Sequence, residues 1–394
     1  MSGRSSAGAV ALKRHCHSVI DALGARSPPE AFLFRGNAYF ALGQPYFAVA
    51  DYNTAAQVLQ LSGQHQRRCY EALAQFPAYQ VGTYPADDSH LHLYVHPYLS
   101  ENCEVTQVNA AMGRGVVAKE NLLWGSVVVR AAAPWIRYPT DDGLCAFCTK
   151  PLPERFFTCT NPNCHEEYCS RDCRTLALSL YHSRSCNIEG LQALELDMYT
   201  QMKAAGTSTA RNAAAAQLLM LRILAVSLQQ QVIPSALSEL RILSGRLLFS
   251  PKALSETFLE IYERFTRSCH TATSISYEEM IGVLARVIAN CFHRETCVEL
   301  NLARSMLNHS CVANAAEDSN SGEIKTTRDV ARGEGLTINY YPQLKHLAFE
   351  ERSKEFERRG FVCSCLRCQR EREKKKAGEG EKIGGEKLKE APPQ

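Results

Sequence analysis

The apolar positions of the chain follow two different periods, which separate helical from strand-forming stretches. Between residues 187 and 290 apolar side chains recur every three or four positions, as at Leu191 and Leu194, and this spacing predicts helices. Over residues 105–133 the apolar runs are short and bounded by glycine, which predicts buried strands. Short strand-like runs return over residues 290–345. The pattern therefore predicts an α+β fold in which a helical segment interrupts a strand-rich one.

Residues 28–80 have the spacing of a helical hairpin. Counted from Phe32, its small and aromatic residues match one tetratricopeptide unit at Gly36, Tyr39, Ala48, Tyr52 and Ala55. A third helix over 64–75 would cap the pair, and a generic helical hairpin is the alternative. One repeat cannot bury its own apolar face, so the hairpin is expected to pack on the rest of the chain.

Most of the remaining segments are polar or rich in small residues. Residues 1–27 are Ser-rich and are expected to be disordered, with a short helix at 9–23. Residues 204–212 predict a linker between two helices. Residues 346–360 predict a charged helix, and the charged tail 371–394, which has no aromatic residue, is expected to be disordered.

Composition narrows the class of protein. With 394 residues, 45% apolar and 22% charged, the chain suits a globular protein with two or three cores. The formal net charge of +3 is too small to indicate a nucleic-acid-binding surface. No run approaches eighteen apolar residues, so no membrane partner is expected.

Cysteine usage indicates the compartment. The chain has 17 cysteines, many of them at short spacings that indicate zinc rather than disulfides, and no secretory leader is visible. The cytoplasm or the nucleus fits this composition. Arg4, Lys13 and Arg14, with no acid before Asp21, also occur in transit peptides, which is the alternative to a plain disordered N-terminus.

Residues 145–186 contain eight candidate zinc ligands. They are Cys145, Cys148, Cys159, Cys164, Cys169, Cys173, His182 and Cys186. Zinc prefers four Cys or His ligands in a tetrahedron, and short Cys spacings supply two of them from one turn. Eight ligands therefore predict two zinc sites, whose metals would supply the folding energy of a segment too short to bury a core.

A second group of residues carries a resemblance to a known family. The tetrad Asn308-His309-Ser310-Cys311 is followed by the run Gly333 to Tyr340 and then by Cys363, Cys365 and Cys368. This combination resembles the C-terminal half of a SET domain with its post-SET zinc site. The eight-ligand cluster resembles a MYND zinc finger. A SET domain split by a MYND finger is typical of the SMYD family, which the chain therefore resembles.

The resemblance implies a protein-lysine N-methyltransferase that uses S-adenosylmethionine and a protein substrate, a histone or another protein. It implies a SET domain in two parts, 81–144 and 281–345, separated by the finger and a helical insert at 187–280. A post-SET zinc segment would follow at 346–370. Better-known SMYD proteins continue into a large C-terminal helical domain, which puts the completeness of the substrate channel in doubt.

The resemblance also implies a methyl-donor site. Its expected residues are Gly113, Arg114, Gly115, Asn290, Ser305, Asn308, His309, Tyr340 and Phe361. Tyr340 matches the catalytic tyrosine whose hydroxyl orients the amine and the methyl group. Tyr341 is the alternative, and strand alternation would place the two side chains on opposite faces.

Two motif positions differ from the family pattern. Val312-Ala313 stands where the family has Asp-Pro, although Asn314 remains, and Gly335 stands where the family has Glu. Neither lost side chain is expected to perform the chemistry. Glycine at 335 is expected to weaken the start of a strand.

The resemblance distributes the metal ligands as well. The interleaved sites of MYND fingers imply one site of Cys145, Cys148, Cys169 and Cys173, and another of Cys159, Cys164, His182 and Cys186. Two extra residues separate Cys159 from Cys164, which leaves His165 as an alternative to Cys164. Cys311 would join Cys363, Cys365 and Cys368 in a third site, so about three zinc ions are expected.

A different class of function is compatible with the same residues. MYND fingers bind proline-rich peptides in some relatives, so the chain could be a weakly active or inactive scaffold that recruits protein partners through its finger. Intact Asn308, His309 and Tyr340 favour the enzyme. A zinc-finger protein that binds DNA directly is disfavoured by the modest charge.

Overall fold

The computed structural model of the chain describes residues 15–16, 18–19, 29–41, 83–84, 86–109, 112–162, 164–246, 260–262, 264–265, 267–269, 275, 277–358 and 361–374. Of the predicted N-terminal hairpin, only the first helix lies within these residues. The rest of the hairpin, including Ala48, Tyr52 and Ala55, lies outside them, as does the predicted helix at 64–75. The predicted helix at 9–23 lies outside them except at the four positions in 15–19.

The described residues form helices and strands in the following order. The helices are α1 (Pro29–Ala41), α2 (Leu91–Tyr94), α3 (Arg171–Ala177), α4 (Ser183–Ser185), α5 (Glu189–Ala204), α6 (Ser208–Gln230), α7 (Ser238–Arg241), α8 (Tyr277–Asn290) and α9 (Phe349–Arg358). The strands are β1 (Thr83–Tyr84), β2 (Cys103–Asn109), β3 (Gly113–Ala118), β4 (Val127–Val129), β5 (Ile136–Pro139), β6 (Phe157–Thr158), β7 (Glu167–Tyr168), β8 (Gly245–Arg246), β9 (Phe292–His293), β10 (Cys297–Leu300), β11 (Asn308–His309), β12 (Ala315–Glu317), β13 (Ile324–Thr326) and β14 (Gly335–Ile338). This mixture of helix and sheet agrees with the predicted α+β class.

The chain divides into two compact units. The first unit comprises Met1–His90 and Pro134–Asn301, and the second comprises Leu91–Ala133 and Leu302–Gln394. In the first unit, β5, β10 and β9 form an antiparallel sheet in the order β5-β10-β9, while β1 pairs with β8 and β6 pairs with β7.

Helix α6 is at the centre of the first unit. Almost every side chain between Ala215 and Ser227 is buried, and the helix contacts α5, α8, β5 and β10. A helix that is apolar on every face must be covered on every face, so α6 forms the core of this unit. By length and by a mean hydropathy of 1.3 it could also cross a membrane, but 67% of that window is buried within the protein, as in other core helices. Arg222 interrupts the apolar run, and for this reason the sequence analysis found no apolar run long enough to cross a membrane.

The predicted linker at 204–212 is wrong in its extent, because only residues 205–207 separate α5 from α6. The side chain of Thr207 accepts a hydrogen bond from the backbone N–H of Ala210 at 3.2 Å. Threonine and serine, which suggested a flexible segment, instead satisfy the first backbone donors of a helix.

The described part of the second unit contains two sheets of three or more strands. One has the strand order β11-β14-β3-β2, with β11 and β14 parallel and the other neighbours antiparallel. The other is antiparallel, in the order β12-β13-β4. The predicted strands within 105–133 are confirmed as β2, β3 and β4.

The C-terminal part of the second unit is more helical than predicted. The charged helix expected at 346–360 is confirmed as α9. Residues 366–374 are also helical, so the prediction of a disordered tail beginning at 371 is wrong at its start. Glu371 explains the difference, because it accepts a hydrogen bond from Arg367 one turn earlier at 2.9 Å and pairs with Arg352 of α9.

Candidate functional site

The parallel pair of β11 and β14 brings the Asn-His motif beside strand β3. Asn308 lies opposite Thr337 in this pair, and its Nδ2 donates to the carbonyl of Arg114 at 3.0 Å. The approach requires glycine at 115, since a Cβ atom there would lie 2.3 Å from Asn308 Nδ2. Gly113, at the start of β3, has a φ of +69°, a conformation that also favours glycine. Residues 113–115 and 308 thus lie together.

The ring of His309 is the centre of an aromatic cluster. Its centroid lies 4.7 Å from that of Phe356, 5.2 Å from Tyr340 and 5.6 Å from Phe361. His309 Nδ1 accepts a hydrogen bond from the Tyr340 backbone N–H at 3.1 Å. In the neutral ring the proton is therefore on Nε2, which lies 3.6 Å from Cys311 Sγ. The histidine links the aromatic cluster to the neighbouring cysteine cluster.

Tyr340 and Tyr341 both contact this histidine. The Tyr341 ring centroid is 6.2 Å from that of His309, and Tyr341 is buried, whereas Tyr340 is half-buried. The Tyr340 hydroxyl donates to the carbonyl of Leu307 at 2.6 Å. Strand alternation does not separate the two tyrosines, because β14 ends at Ile338 before either of them. What distinguishes them is exposure and the hydroxyl contact to Leu307.

Asn314, for which the sequence suggested no role, fixes the start of β14. Its Oδ1 accepts from the backbone N–H of Thr337 at 2.8 Å, and its Nδ2 donates to Gly335 O at 2.9 Å and to Glu334 Oε1 at 3.0 Å. Hydrogen bonds from Arg328 hold the pKa of Glu334 below its ordinary value, so it accepts as a carboxylate. A fully bonded buried amide compensates for the glycine that begins this strand.

Ser305 and Asn290, which were also predicted for the methyl-donor site, lie in different units. Ser305 lies in the 3-10 turn Arg304–Met306, which immediately precedes Leu307 and β11 in the second unit. Asn290 belongs to the first unit, where it ends α8. Its amide donates to the carbonyls of Ser244 at 2.7 Å and Arg286 at 2.8 Å.

Three clusters could each hold a metal ion. Within each, the four ligand atoms lie within 4.8 Å of one another, and the members are Cys145, Cys148, Cys169 and Cys173; Cys159, Cys164, His182 and Cys186; and Cys311, Cys363, Cys365 and Cys368. These are the groupings predicted from the sequence. Four soft or borderline ligands at such distances fit tetrahedral zinc.

Residues 145–186, here called the finger, contain the first two clusters. The second finger cluster, that of Cys159, Cys164, His182 and Cys186, includes Cys164 and not its neighbour His165. Cys164 Sγ lies 3.5 Å from His182 Nε2, while His165 is exposed. His182 Nδ1 lies 3.0 Å from Glu166 Oε2 without the angle of a hydrogen bond, so a carboxylate stands beside this candidate ligand. Burial lowers the pKa of His182 although Glu166 opposes that shift, so the ring is neutral as a ligand must be.

Glu166 also joins the finger to α6. It accepts from the Tyr168 hydroxyl at 2.5 Å and from Arg222 Nη2 at 3.1 Å. Arg222 is buried, donates to the carbonyls of Arg137 and Ala146, and lies over the Tyr138 ring at 4.3 Å. None of these supporting residues was predicted, because no motif spacing connects position 166 to position 222.

The third cluster has a buried cation beside it. Arg352 is 1% exposed, and its Nη2 lies 3.5 Å from Cys368 Sγ and pairs with Glu371. Burial opposes its charge, but the hydrogen bonds to Cys368 and Glu371 keep the pKa of Arg352 above its ordinary value. The helical spacing of Phe349, Arg352 and Phe356 within a charged helix was the available signal, since it marks one buried face.

Sequence comparison with known proteins identifies the family of the chain and several relatives. The SET domain family matches residues 113–341, more than half of the chain, and the chain therefore belongs to that family. The histone-lysine N-methyltransferase SET5 of Meyerozyma guilliermondii is 26% identical over 337 residues, 73% of this chain and 67% of that protein. The histone-lysine N-methyltransferase SMYD3 of mouse and that of human are 34% and 35% identical over 100 residues, 23% of this chain and 23% of each relative. SET methyltransferases use S-adenosylmethionine as the methyl donor.

Proposed function

We propose that the chain is an S-adenosylmethionine-dependent protein-lysine N-methyltransferase of the SMYD type, with a MYND-type finger at residues 145–186. The observation that carries this proposal is the arrangement around His309. There the Asn308 amide holds the Arg114 carbonyl, and the Tyr340 hydroxyl holds the Leu307 carbonyl. The names of the SET5 and SMYD3 relatives support lysine as the methylated residue.

The residues present fit an adenosyl donor. Gly113, at the start of β3, leaves open space beside the backbone, since a Cβ there would meet nothing within 4 Å. Asn308 offers a half-buried amide, and Phe361 offers a half-buried aromatic face. Backbone polar groups, an amide and an aromatic ring are the mixture with which proteins recognise such ligands. When bound, the donor supplies an electrophilic methyl group on a sulfonium.

The side chains of the site would prepare the lysine. Its amine has a pKa of about 10.4 in water and needs an unprotonated lone pair to accept the methyl group. Tyr340 is already held by Leu307, so its oxygen and the carbonyl can orient the amine without being reorganised. The rings of Phe356 and Phe361, stacked with centroids 5.3 Å apart, exclude water beside them.

The test compares Tyr340→Phe with Tyr341→Phe. Transfer of a tritiated methyl group to histones and to whole-lysate proteins is measured beside calorimetric affinity for S-adenosylmethionine. Loss of the hydroxyl at 340 is expected to lower turnover roughly a hundredfold, ~3 kcal/mol, and to leave donor affinity nearly intact. Tyr341→Phe is expected to retain turnover.

Two outcomes would contradict the proposal. If Tyr341→Phe were the inactive variant, the assignment of Tyr340 would be wrong. If the wild-type protein bound no donor, the scaffold function, with partners recruited through the finger, would replace the enzyme.

A further inference from the structure

His309 uses both of its ring nitrogens to join the third cysteine cluster to the backbone of Tyr340. Its Nδ1 accepts from the Tyr340 backbone N–H at 3.1 Å, and its Nε2 lies 3.6 Å from Cys311 Sγ. Because Nδ1 is an acceptor, the neutral ring carries its proton on Nε2 and donates it to the sulfur. One buried side chain therefore connects a candidate metal ligand to the tyrosine proposed to orient the lysine.

The bond to His309 holds Tyr340 beyond the last strand pair of the sheet. His309 pairs with Ile338 at the end of β14, and the Ser310 backbone N–H donates to the Ile338 carbonyl at 3.0 Å. Tyr340 lies two residues further along, where the imidazole takes over from the strand as the acceptor of its N–H. The Tyr340 hydroxyl donates to the carbonyl of Leu307 at 2.6 Å. His309 and Leu307 thus hold the two ends of this tyrosine.

The other side of the imidazole depends on how the third cluster holds its sulfurs. Cys311 Sγ lies 3.6 Å from Cys368 Sγ and 4.0 Å from Cys363 Sγ. Sulfurs bound to zinc are fixed in a tetrahedron as thiolates, which accept hydrogen bonds more strongly than thiols do. Occupancy of the cluster by a metal therefore sets both the position and the strength of the acceptor that faces His309 Nε2.

Ring packing transmits a movement of the sulfur to the tyrosine. His309 is 8% exposed, and its ring centroid lies 4.7 Å from that of Phe356 and 5.6 Å from that of Phe361. A ring enclosed in this way has few other positions, so a shift at one nitrogen also shifts the other. Phe361 offers a second route, because its centroid lies 6.0 Å from that of Tyr340 and it stands two residues before Cys363.

We propose that His309 is a positioning residue through which the third metal site sets the place of Tyr340. Loss of the metal frees the sulfur that faces Nε2, and the imidazole then no longer fixes the Tyr340 backbone. The effect on turnover rests on the proposed methyltransferase function, whereas the coupling between the metal site and Tyr340 does not.

Two substitutions separate the two hydrogen bonds of the ring. In His309→Asn the amide oxygen replaces Nδ1 as an acceptor for Tyr340, but the shorter side chain has no donor in the place of Nε2. In His309→Gln the amide nitrogen can donate to Cys311, and the acceptor in the place of Nδ1 is lost. Both variants lose the ring, so they are matched in packing and differ in the bond that they keep.

NMR of the full-length, zinc-loaded protein labelled with ¹⁵N-tyrosine observes Tyr340 itself. Its N–H signal is identified by its absence from Tyr340→Phe. Cys365→Ser, with a loss of about one zinc ion by elemental analysis, empties the third cluster. It is expected to shift the Tyr340 signal in the otherwise wild-type protein. In both His309 variants this shift is expected to fall by more than about half. Cys148→Ser, which empties a finger cluster, is the control and is expected to leave the signal in place.

Zinc retention and turnover distinguish the two variants from each other and from the wild-type protein. His309→Asn is expected to release zinc to a chelator several-fold faster than His309→Gln, because only the glutamine keeps a donor to the sulfur. Both variants are expected to transfer methyl groups to histones roughly tenfold more slowly at saturating S-adenosylmethionine, since each lacks one of the two bonds that position Tyr340.

Several outcomes would overturn the proposal. An equal shift of the Tyr340 signal by Cys365→Ser in the wild-type and His309-variant proteins would assign the coupling to the packing of Phe361. A Tyr340 signal that does not respond to Cys365→Ser, or that responds equally to Cys148→Ser, would show that His309 carries no such coupling. Wild-type turnover in both His309 variants would do the same for the positioning role. A wild-type protein that shows the coupling but transfers no methyl group would contradict the proposed reaction and still confirm the coupling.

Discussion

At the scale of single residues, the proposed donor site depends on a close approach between Gly115 and Asn308. Gly115→Ala would place a methyl group where the Asn308 amide lies, since the Cβ position is 2.3 Å from Nδ2. Relief of this overlap moves the amide off the Arg114 carbonyl at a cost of about 1–3 kcal/mol. We expect the variant to fold and to lose roughly tenfold in affinity for S-adenosylmethionine by calorimetry.

Gly335 provides the matched control for that prediction. A Cβ there would meet only Val108 Cγ1 at 3.5 Å, which is an ordinary contact. Glycine also destabilises a strand, because it loses more conformational entropy on folding than alanine does. Gly335→Ala is therefore expected to keep donor affinity and to raise the thermal midpoint slightly. Equal loss of affinity in both variants would mean that the strand rather than the Asn308 contact controls the site.

Arg352 is expected to stabilise the third cysteine cluster through its charge when zinc is bound there. Four thiolates around Zn²⁺ carry a net charge of about −2, and a buried guanidinium 3.5 Å from one sulfur offsets part of it. Arg352→Met should increase the rate of zinc release to a chromogenic chelator about tenfold or more. Arg367→Met is the control, because Arg367 shares Glu371 but has no described contact with a sulfur. Identical release from both variants would assign the effect to Glu371 instead.

At this scale the sequence predicts ligands better than it predicts their supports. Cysteine and histidine at short spacings have few other uses, so every member of the three clusters was predicted by residue number. Arg352 and Glu166 were not, because arginine and glutamate are ordinary surface residues until tertiary structure buries them. The choice between Tyr340 and Tyr341 shows the same dependence on tertiary structure. Side chains alternate between the faces of a sheet only within a strand, and β14 ends at Ile338, before both tyrosines.

At the scale of elements, α6 and the finger share one buried polar network. Arg222 of α6 pairs with Glu166, whose carboxylate lies 3.0 Å from Nδ1 of the candidate zinc ligand His182. Arg222→Met would leave the acids without their cation, and breaking a buried pair in this way costs about 3–5 kcal/mol. We expect a lower urea midpoint for the first unit by circular dichroism, together with reduced zinc retention.

Arg211→Met on the same helix is the control for this network. Arg211 is 40% exposed and pairs with Asp141 at 2.6 Å. Exposed pairs of this kind contribute less than about 1 kcal/mol. If the two variants were equally stable, the buried network would not couple the finger to the helix.

Element boundaries were predictable where apolar periodicity was strong. The strands of the second unit and the long helices followed from it, whereas the beginning of α6 did not. Thr207 and Ser208 are equally suited to a loop and to a helix start, and only the hydrogen bond to Ala210 decides between them. The helix at 366–374 was missed for a similar reason, because its composition is that of a disordered tail and its anchors are tertiary.

At the scale of the whole molecule, the candidate functions are divided between the two units. The second unit contains the Asn308 and Tyr340 contacts and the third cysteine cluster, while the first contains both finger clusters. The SET domain match at 113–341 includes parts of both units. Methyl transfer is therefore expected to depend on the third cluster more directly than on the finger.

Zinc content and donor affinity test this division together. The three clusters predict about three zinc ions per chain by elemental analysis, and Cys148→Ser, Cys186→Ser and Cys365→Ser should each remove about one. Cys365→Ser should also lower donor affinity, because the cluster includes Cys311, whose sulfur lies 3.6 Å from His309 Nε2 in the aromatic cluster. Cys148→Ser should leave donor affinity within about twofold, since its cluster lies in the first unit with no described contact to Asn308 or Tyr340. Loss of donor binding in the finger variants as complete as in Cys365→Ser would show that the two units fold and function as one.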